Sequence, residues 1–125
     1  LNKWIITVLI FVIAFVLYNN KKEEGYQVIK PADAKTMLEQ SKDVILLDVR
    51  TKEEHQEKHI GGSLLIPLSS LEKEAEKKLP NKEQTIIVYC RSGNRSKTAV
   101  NLLLSLGYKN VYDLGGINSW PYEIK

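Results

Sequence analysis

The sequence predicts one α/β domain built on a mainly parallel sheet, preceded by a separate apolar segment. Three observations predict it. Val44–Asp48 (VILLD) and Thr85–Tyr89 (TIIVY) are nearly unbroken apolar runs rich in β-branched residues, the pattern of strands covered on both faces. Helical stretches with readable starts lie between the strand candidates, and strand–helix alternation implies right-handed crossovers. Trp4–Tyr18 (WIITVLIFVIAFVLY) carries no charge, whereas the rest of the 125 residues reads like water-exposed protein.

Residues 1–20 are expected to form a single-pass transmembrane anchor, 21–25 a linker, and 26–125 the domain. Fifteen apolar residues rise about 22 Å as a helix, less than a bilayer core of about 30 Å. Trp4 and Tyr18 stand where aromatic side chains settle at headgroups, and Lys3, Lys21 and Lys22 can snorkel beyond them. Phe15–Asn20 (FVLYNN) contains no small-residue cleavage site, which argues against a removed signal peptide. Lys21, Lys22 and Lys30 follow the segment, placing the domain on the cytoplasmic side. The lone thiol agrees with a reducing compartment.

Within the domain, Tyr26–Ile29 reads as an edge strand, and Pro31 opens a helix running to Gln40. Leu64–Ile66 and Val111–Asp113 are shorter strand candidates, bringing the sheet to five. Thr51-x-x-Glu54 and Ser69-x-x-Glu72 match the capping box of a helix start. Ala99, Leu102, Leu103 and Leu106 recur at helical spacing after Arg95, and Gly107 is placed to end that helix.

Charge excludes more than it selects. A net charge of +3 is too small for a nucleic-acid partner, which calls for a strongly basic face. His55 and His59 lie far in sequence from the single Cys90, and no CxxC exists, so no metal site is expected. No cofactor is called for either. The cations are uneven, however: Lys is scattered, whereas two of the three Arg flank the cysteine. An arginine fork holds small oxyanions in a fixed geometry that a lysine does not impose.

The cysteine sits in TIIVYC-RSGNRS-KTAVN. A buried strand delivers Cys90 to its C-terminal end, six residues turn, and a helix begins; ligands of parallel α/β sheets bind at that edge. Gly93 lets backbone N–H groups converge, the helix start adds free N–H groups, and Arg91 and Arg95 add full charges. All of these favour a thiolate, the nucleophilic form of cysteine. The same cradle suits a persulfide, whose charged outer sulfur lies about 2 Å beyond Cys90 Sγ. Cys90 is the candidate nucleophile, and Arg91, Ser92, Gly93, Asn94, Arg95 and Ser96 the candidate binding residues.

Cys90–Ser96 (CRSGNRS) resembles the active-site loop C-R-x-G-x-R of the rhodanese family. Val44–Ile60 (VILLDVRTKEEHQEKHI), Gly61–Pro67 (GGSLLIP) and Gly115–Trp120 (GGINSW) are similar to three further segments of that family, in the same order. Lys58 stands where the family often has Gly, and Ser63 where Ala is common. The tail after Trp120 is short, which implies an abbreviated last helix. The resemblance implies a three-layer fold with a central, mainly parallel five-stranded sheet flanked by helices. It also implies a sulfurtransferase in which Cys90 takes sulfur from thiosulfate or a similar small anionic donor. An external thiol or protein would accept that sulfur, because no second cysteine is present. Asp48 carries over as a residue near the loop. For Arg50 a structural ion pair with Glu53 or Glu54 is expected, for His59 a structural hydrogen bond, and for Trp120 a place in the core.

Two other functions compete. Tyrosine and dual-specificity phosphatases place five residues between Cys and Arg, but only four separate Cys90 from Arg95, a smaller loop suited to a sulfur atom. A membrane-tethered binding or sulfur-relay module is the second alternative; inactive relatives of such domains typically lack the cysteine that this chain keeps.

Overall fold

The structure, a computed structural model, describes residues 2–20 and 25–125. Helix α1 (Lys3–Asn20) is followed by a domain whose elements run β1 (Gln27–Val28), α2 (Pro31–Gln40), β2 (Ile45–Asp48), α3 (Lys52–Glu57), β3 (Leu64–Leu65), α4 (Leu68–Lys78), β4 (Thr85–Cys90), α5 (Asn94–Ser105) and β5 (Asn110–Gly116). A 3-10 turn, Ile117–Ser119, closes the series. The five strands form one sheet in the order β1-β5-β4-β2-β3, with every pairing parallel.

Side chains of β4 alternate between two cores. Ile86, Val88 and Cys90 join Leu71 and Ala75 of α4 and Ala99, Val100 and Leu103 of α5. Ile87 and Tyr89 face the other way, onto Ala34 and the flanking Met37 and Leu38 of α2. A central strand covered on both faces must be apolar at every position, which is why TIIVY reads as an unbroken run. Half-buried Trp120 packs against the α2-side core.

The chain leaves β2 toward one edge of the sheet and β4 toward the other. These two strands are neighbours, with Asp48 beside Tyr89. Their C-terminal ends therefore open onto a topological switch point, where parallel α/β sheets leave a crevice.

The structure corrects several expectations. Among the described residues no helix is long and apolar enough to cross a membrane, so the single-pass span expected for residues 1–20 is not supported. Helix α1 has 18 residues, a rise of about 27 Å against a bilayer core of about 30 Å. Of the expected linker, residues 21–24 lie outside the described residues, Lys21 and Lys22 among them, as does the side chain of Tyr18.

The second capping box does not form. Helix α4 starts at Leu68 behind Pro67, with no side-chain cap. The Ile66 and Leu68 N–H groups instead donate to the Asp48 and Val49 carbonyls, so sheet pairing carries the chain past Ser69's expected role. The first box forms as expected at Thr51 and Glu54. β5 is longer than expected because it lies between β1 and β4 and pairs with both. The last helix is reduced to the 3-10 turn, and beyond it His59 and Lys125 exchange two backbone hydrogen bonds, at 3.0 and 2.8 Å.

Candidate active site

Cys90 is the last residue of β4, and the turn after it is three residues long, not six: α5 begins at Asn94. Gly93 makes this possible. Its φ of 113° lies where L side chains are strained, and it reverses the chain directly into the helix. The Gly93 carbonyl then accepts from Lys97 N–H and from Ser96 Oγ at 3.0 Å, closing the first turn. The Gly93 N–H points inward and donates to Cys90 Sγ at 3.0 Å. Cys90 is 1% exposed, so the loop rather than solvent surrounds its sulfur.

The other candidate residues divide. Arg91, Ser92 and Asn94 are exposed, and Ser96 is buried beneath the turn. Arg95 does not share a role with Arg91. Its two terminal nitrogens donate to the Glu54 carboxylate at 2.7 and 2.9 Å. Hydrogen bonding from Arg95 is the main reason that the Glu54 carboxyl falls to about 2, against the opposing effect of burial. The pair ties α3 to the first turn of α5.

Asp48 and Arg50, at and just beyond the end of β2, are buried, 0% and 3% exposed. Arg50 pairs with Asp48, not with Glu53 or Glu54 as expected: Nε to Oδ1 is 3.0 Å and Nη2 to Oδ2 is 2.9 Å. The Asp48 carboxylate also meets the Arg50 backbone N–H, His55 Nδ1 and the Tyr89 hydroxyl. Burial alone would raise the Asp48 carboxyl, but the hydrogen bonds from Arg50 and His55 outweigh it and hold the group below the usual carboxylate range. Arg50 Nη2 donates further to the Lys58 carbonyl, and the Tyr89 hydroxyl, in contact with Ser63 Oγ, accepts from Ile60 N–H. His59 Nδ1 lies 2.8 Å from the His55 carbonyl, the expected structural hydrogen bond.

Two contributors escaped the sequence reading. Glu54 was read as a helix cap and as a candidate partner of Arg50, not as the partner of Arg95. Gly116 sits beside Cys90 across the β4–β5 pairing, after a bulge between Val88 and Tyr89 that leaves Leu114 as the extra residue. A Cβ on Gly116 would lie 2.3 Å from the Arg91 carbonyl oxygen and 2.7 Å from Ser92 Cα. The visible signal was the Gly115–Gly116 pair itself; the reason for it is the backbone of the loop packed against that face.

A family model described as Rhodanese-like domain matches residues 30–122. Thiosulfate sulfurtransferase PspE of Escherichia coli (strain K12) is 35% identical over 71 residues, covering 57% of this chain and 68% of that protein. Thiosulfate sulfurtransferase GlpE of Coxiella burnetii is 33% identical over 84 residues, 66% of this chain and 77% of that one. Among solved structures, a rhodanese-related protein from Thermoplasma volcanium superposes with a TM-score of 0.69 at 36% identity, over 80% of this chain and 98% of its own.

Gly116→Ala is expected to displace Arg91 and Ser92, lowering Cys90-dependent turnover by about 100-fold, since misplacement near 1 Å costs that much. Steady-state kinetics alongside a thermal melt checks this; an unaltered rate would contradict the contact. Glu54→Gln is expected to cost about 1 kcal/mol of stability at neutral pH. The native carboxyl titrates below its unfolded value, so this contribution is present above pH 4.5 and is lost as pH falls toward 2. Urea melts of both proteins across that range should therefore converge on acidification.

Proposed function

Because the chain belongs to the rhodanese-like family, we propose that it is a sulfurtransferase of the thiosulfate sulfurtransferase kind, with Cys90 as its nucleophile. The observation that carries the reading is the Gly93 N–H directed at Cys90 Sγ, at the C-terminal end of a buried strand and the start of α5. The Cys90 thiolate attacks the outer sulfur of thiosulfate; the S–S bond of the donor breaks and sulfite leaves with its electron pair. The product is a Cys90 persulfide anion, its charge held by loop N–H groups and the positive end of α5. An external thiophile, cyanide or a thiol, then attacks the outer sulfur and returns Cys90 as thiolate.

Roles within the loop follow from where each group is committed. Arg91 is exposed and carries the donor-binding role, whereas Arg95 acts through Glu54 to position the first turn of α5. Gly93 supplies the inward N–H, Ser96 closes the turn beneath it, and Ser92 and Asn94 shape the rim. Burial of Cys90 favours donors slim enough to present a terminal sulfur to the loop.

Membrane attachment is a separate part of the proposal: α1 associates with a lipid bilayer and keeps the domain on the cytoplasmic side. In support, its side chains Trp4, Phe11 and Phe15 are 78%, 71% and 65% exposed, and an apolar surface of this extent signals a partner.

Thiosulfate exposure should add one reductant-labile sulfur to the intact mass, and Cys90→Ser should abolish both that adduct and thiocyanate formation from cyanide. Persistent turnover in the serine variant would dismiss the assignment. Removal of residues 1–20 is expected to leave kcat/KM unchanged while releasing the protein from phosphatidylglycerol-containing liposomes in a flotation assay; continued flotation would place the lipid contact elsewhere.

A further inference from the structure

The cations around the loop are not equivalent. Arg50 is committed to Asp48 and Arg95 to Glu54. Arg91 on the loop and Lys58 at the C-terminal end of α3 are exposed, and neither side chain makes an ion pair among the described residues. Both line a polar pocket of about 120 Å³ together with Arg50, Glu54, Glu57, Ile117 and Asn118, the Arg50 and Glu54 charges being already paired with Asp48 and Arg95. The pocket lies against the outer side of the loop, where the Asn118 N–H donates to the Arg91 carbonyl at 3.3 Å. That volume accommodates a compact oxosulfur anion.

Lys58 is held in place through its backbone, not its side chain. Its carbonyl accepts from Arg50 Nη2 at 2.8 Å and its N–H donates to the Glu54 carbonyl at 3.2 Å. The ammonium is thereby brought to the pocket while no structural contact depends on it. Glu57, next to it, adds a carboxylate to the same wall without an ion-pair partner among the described residues. The uncommitted groups of the pocket are thus two cations and one carboxylate.

We infer that Lys58 is a specificity-determining residue: with Arg91 it holds the oxyanion end of a compact dianionic sulfur donor in this pocket, and Glu57 sets the strength of that preference. The inference rests on the sulfur-transfer reading and deepens it, selecting dianionic donors over less charged ones. A glycine, common at this position in the resembling family, would supply no such charge.

The test compares thiosulfate, a dianion, with methanethiosulfonate, a monoanion, at fixed cyanide in the full chain and its Lys58→Gln and Glu57→Gln variants. Lys58→Gln is expected to raise KM for thiosulfate about three- to tenfold with kcat nearly unchanged, the range for one screened charge acting on a dianion at contact distance. Glu57→Gln should lower that KM, both shifts should be smaller for methanethiosulfonate, and both should shrink in high salt. Unmoved thiosulfate KM in both variants, or equal shifts for the two donors, would overturn the role of Lys58 while leaving sulfur transfer intact. Absence of Cys90-dependent turnover in the unsubstituted chain would instead remove the sulfur-transfer reading, and this inference with it.

Discussion

The buried Asp48 carboxylate organises everything around the cysteine. It lies at the end of β2, fully excluded from solvent, and gathers donors from Arg50, His55 and Tyr89. A charge so placed is tolerable only when paired and fully hydrogen-bonded, and removing one partner of such a pair typically costs about 3–5 kcal/mol. Arg50 passes the constraint to the Lys58 carbonyl and so fixes where α3 ends. Tyr89 passes it to Ile60 and Ser63. With α3 fixed, Glu54 stands where it can grip Arg95 and hold the start of α5. The network never touches the sulfur, yet the pose of the loop follows from it.

Steric exclusion supplies the second constraint. Gly93 and Gly116 are both required, for different reasons. At Gly93 the backbone itself is in a region closed to side chains, and only this turn aims the amide at Cys90. At Gly116 the backbone is ordinary extended chain, φ −99°, and what forbids a side chain is the loop lying on top of it. The bulge that brings Gly116 opposite Cys90 is stabilised locally, since Asp113 Oδ1 accepts the Gly115 N–H at 2.8 Å. Thus the floor of the loop is set by β5 and its walls by α3, two elements far apart in sequence.

Charge near the loop is correspondingly divided into fixed and free. Arg50 and Arg95 have their guanidinium groups occupied by carboxylates and serve as braces. Arg91 and Lys58 have no such obligation and face the pocket beside the loop. In the proposed reading an anionic donor meets exposed, unpaired charge beside a braced loop, so that changing the surface charge need not disturb that loop.

Much of this was legible in the residues alone. The apolar β-branched runs identified β2 and β4, because a strand covered on both faces favours apolar side chains on both; Pro31 and the Thr51–Glu54 box marked helix starts, because those signals act within one turn; and C-R-S-G-N-R-S marked the turn from β4 into α5, because strand end, glycine and helix start are contiguous in the chain. The sequence could not show that Arg50 chooses Asp48, that Arg95 is taken by Glu54, that pairing with β2 overrides the Ser69 cap, or why Gly116 is a glycine. Each of these depends on groups from different strands and helices meeting at one sheet edge. Local pattern determines which elements form and where the cysteine loop lies, whereas only the packed sheet decides which charges neutralise one another and which stay unpaired.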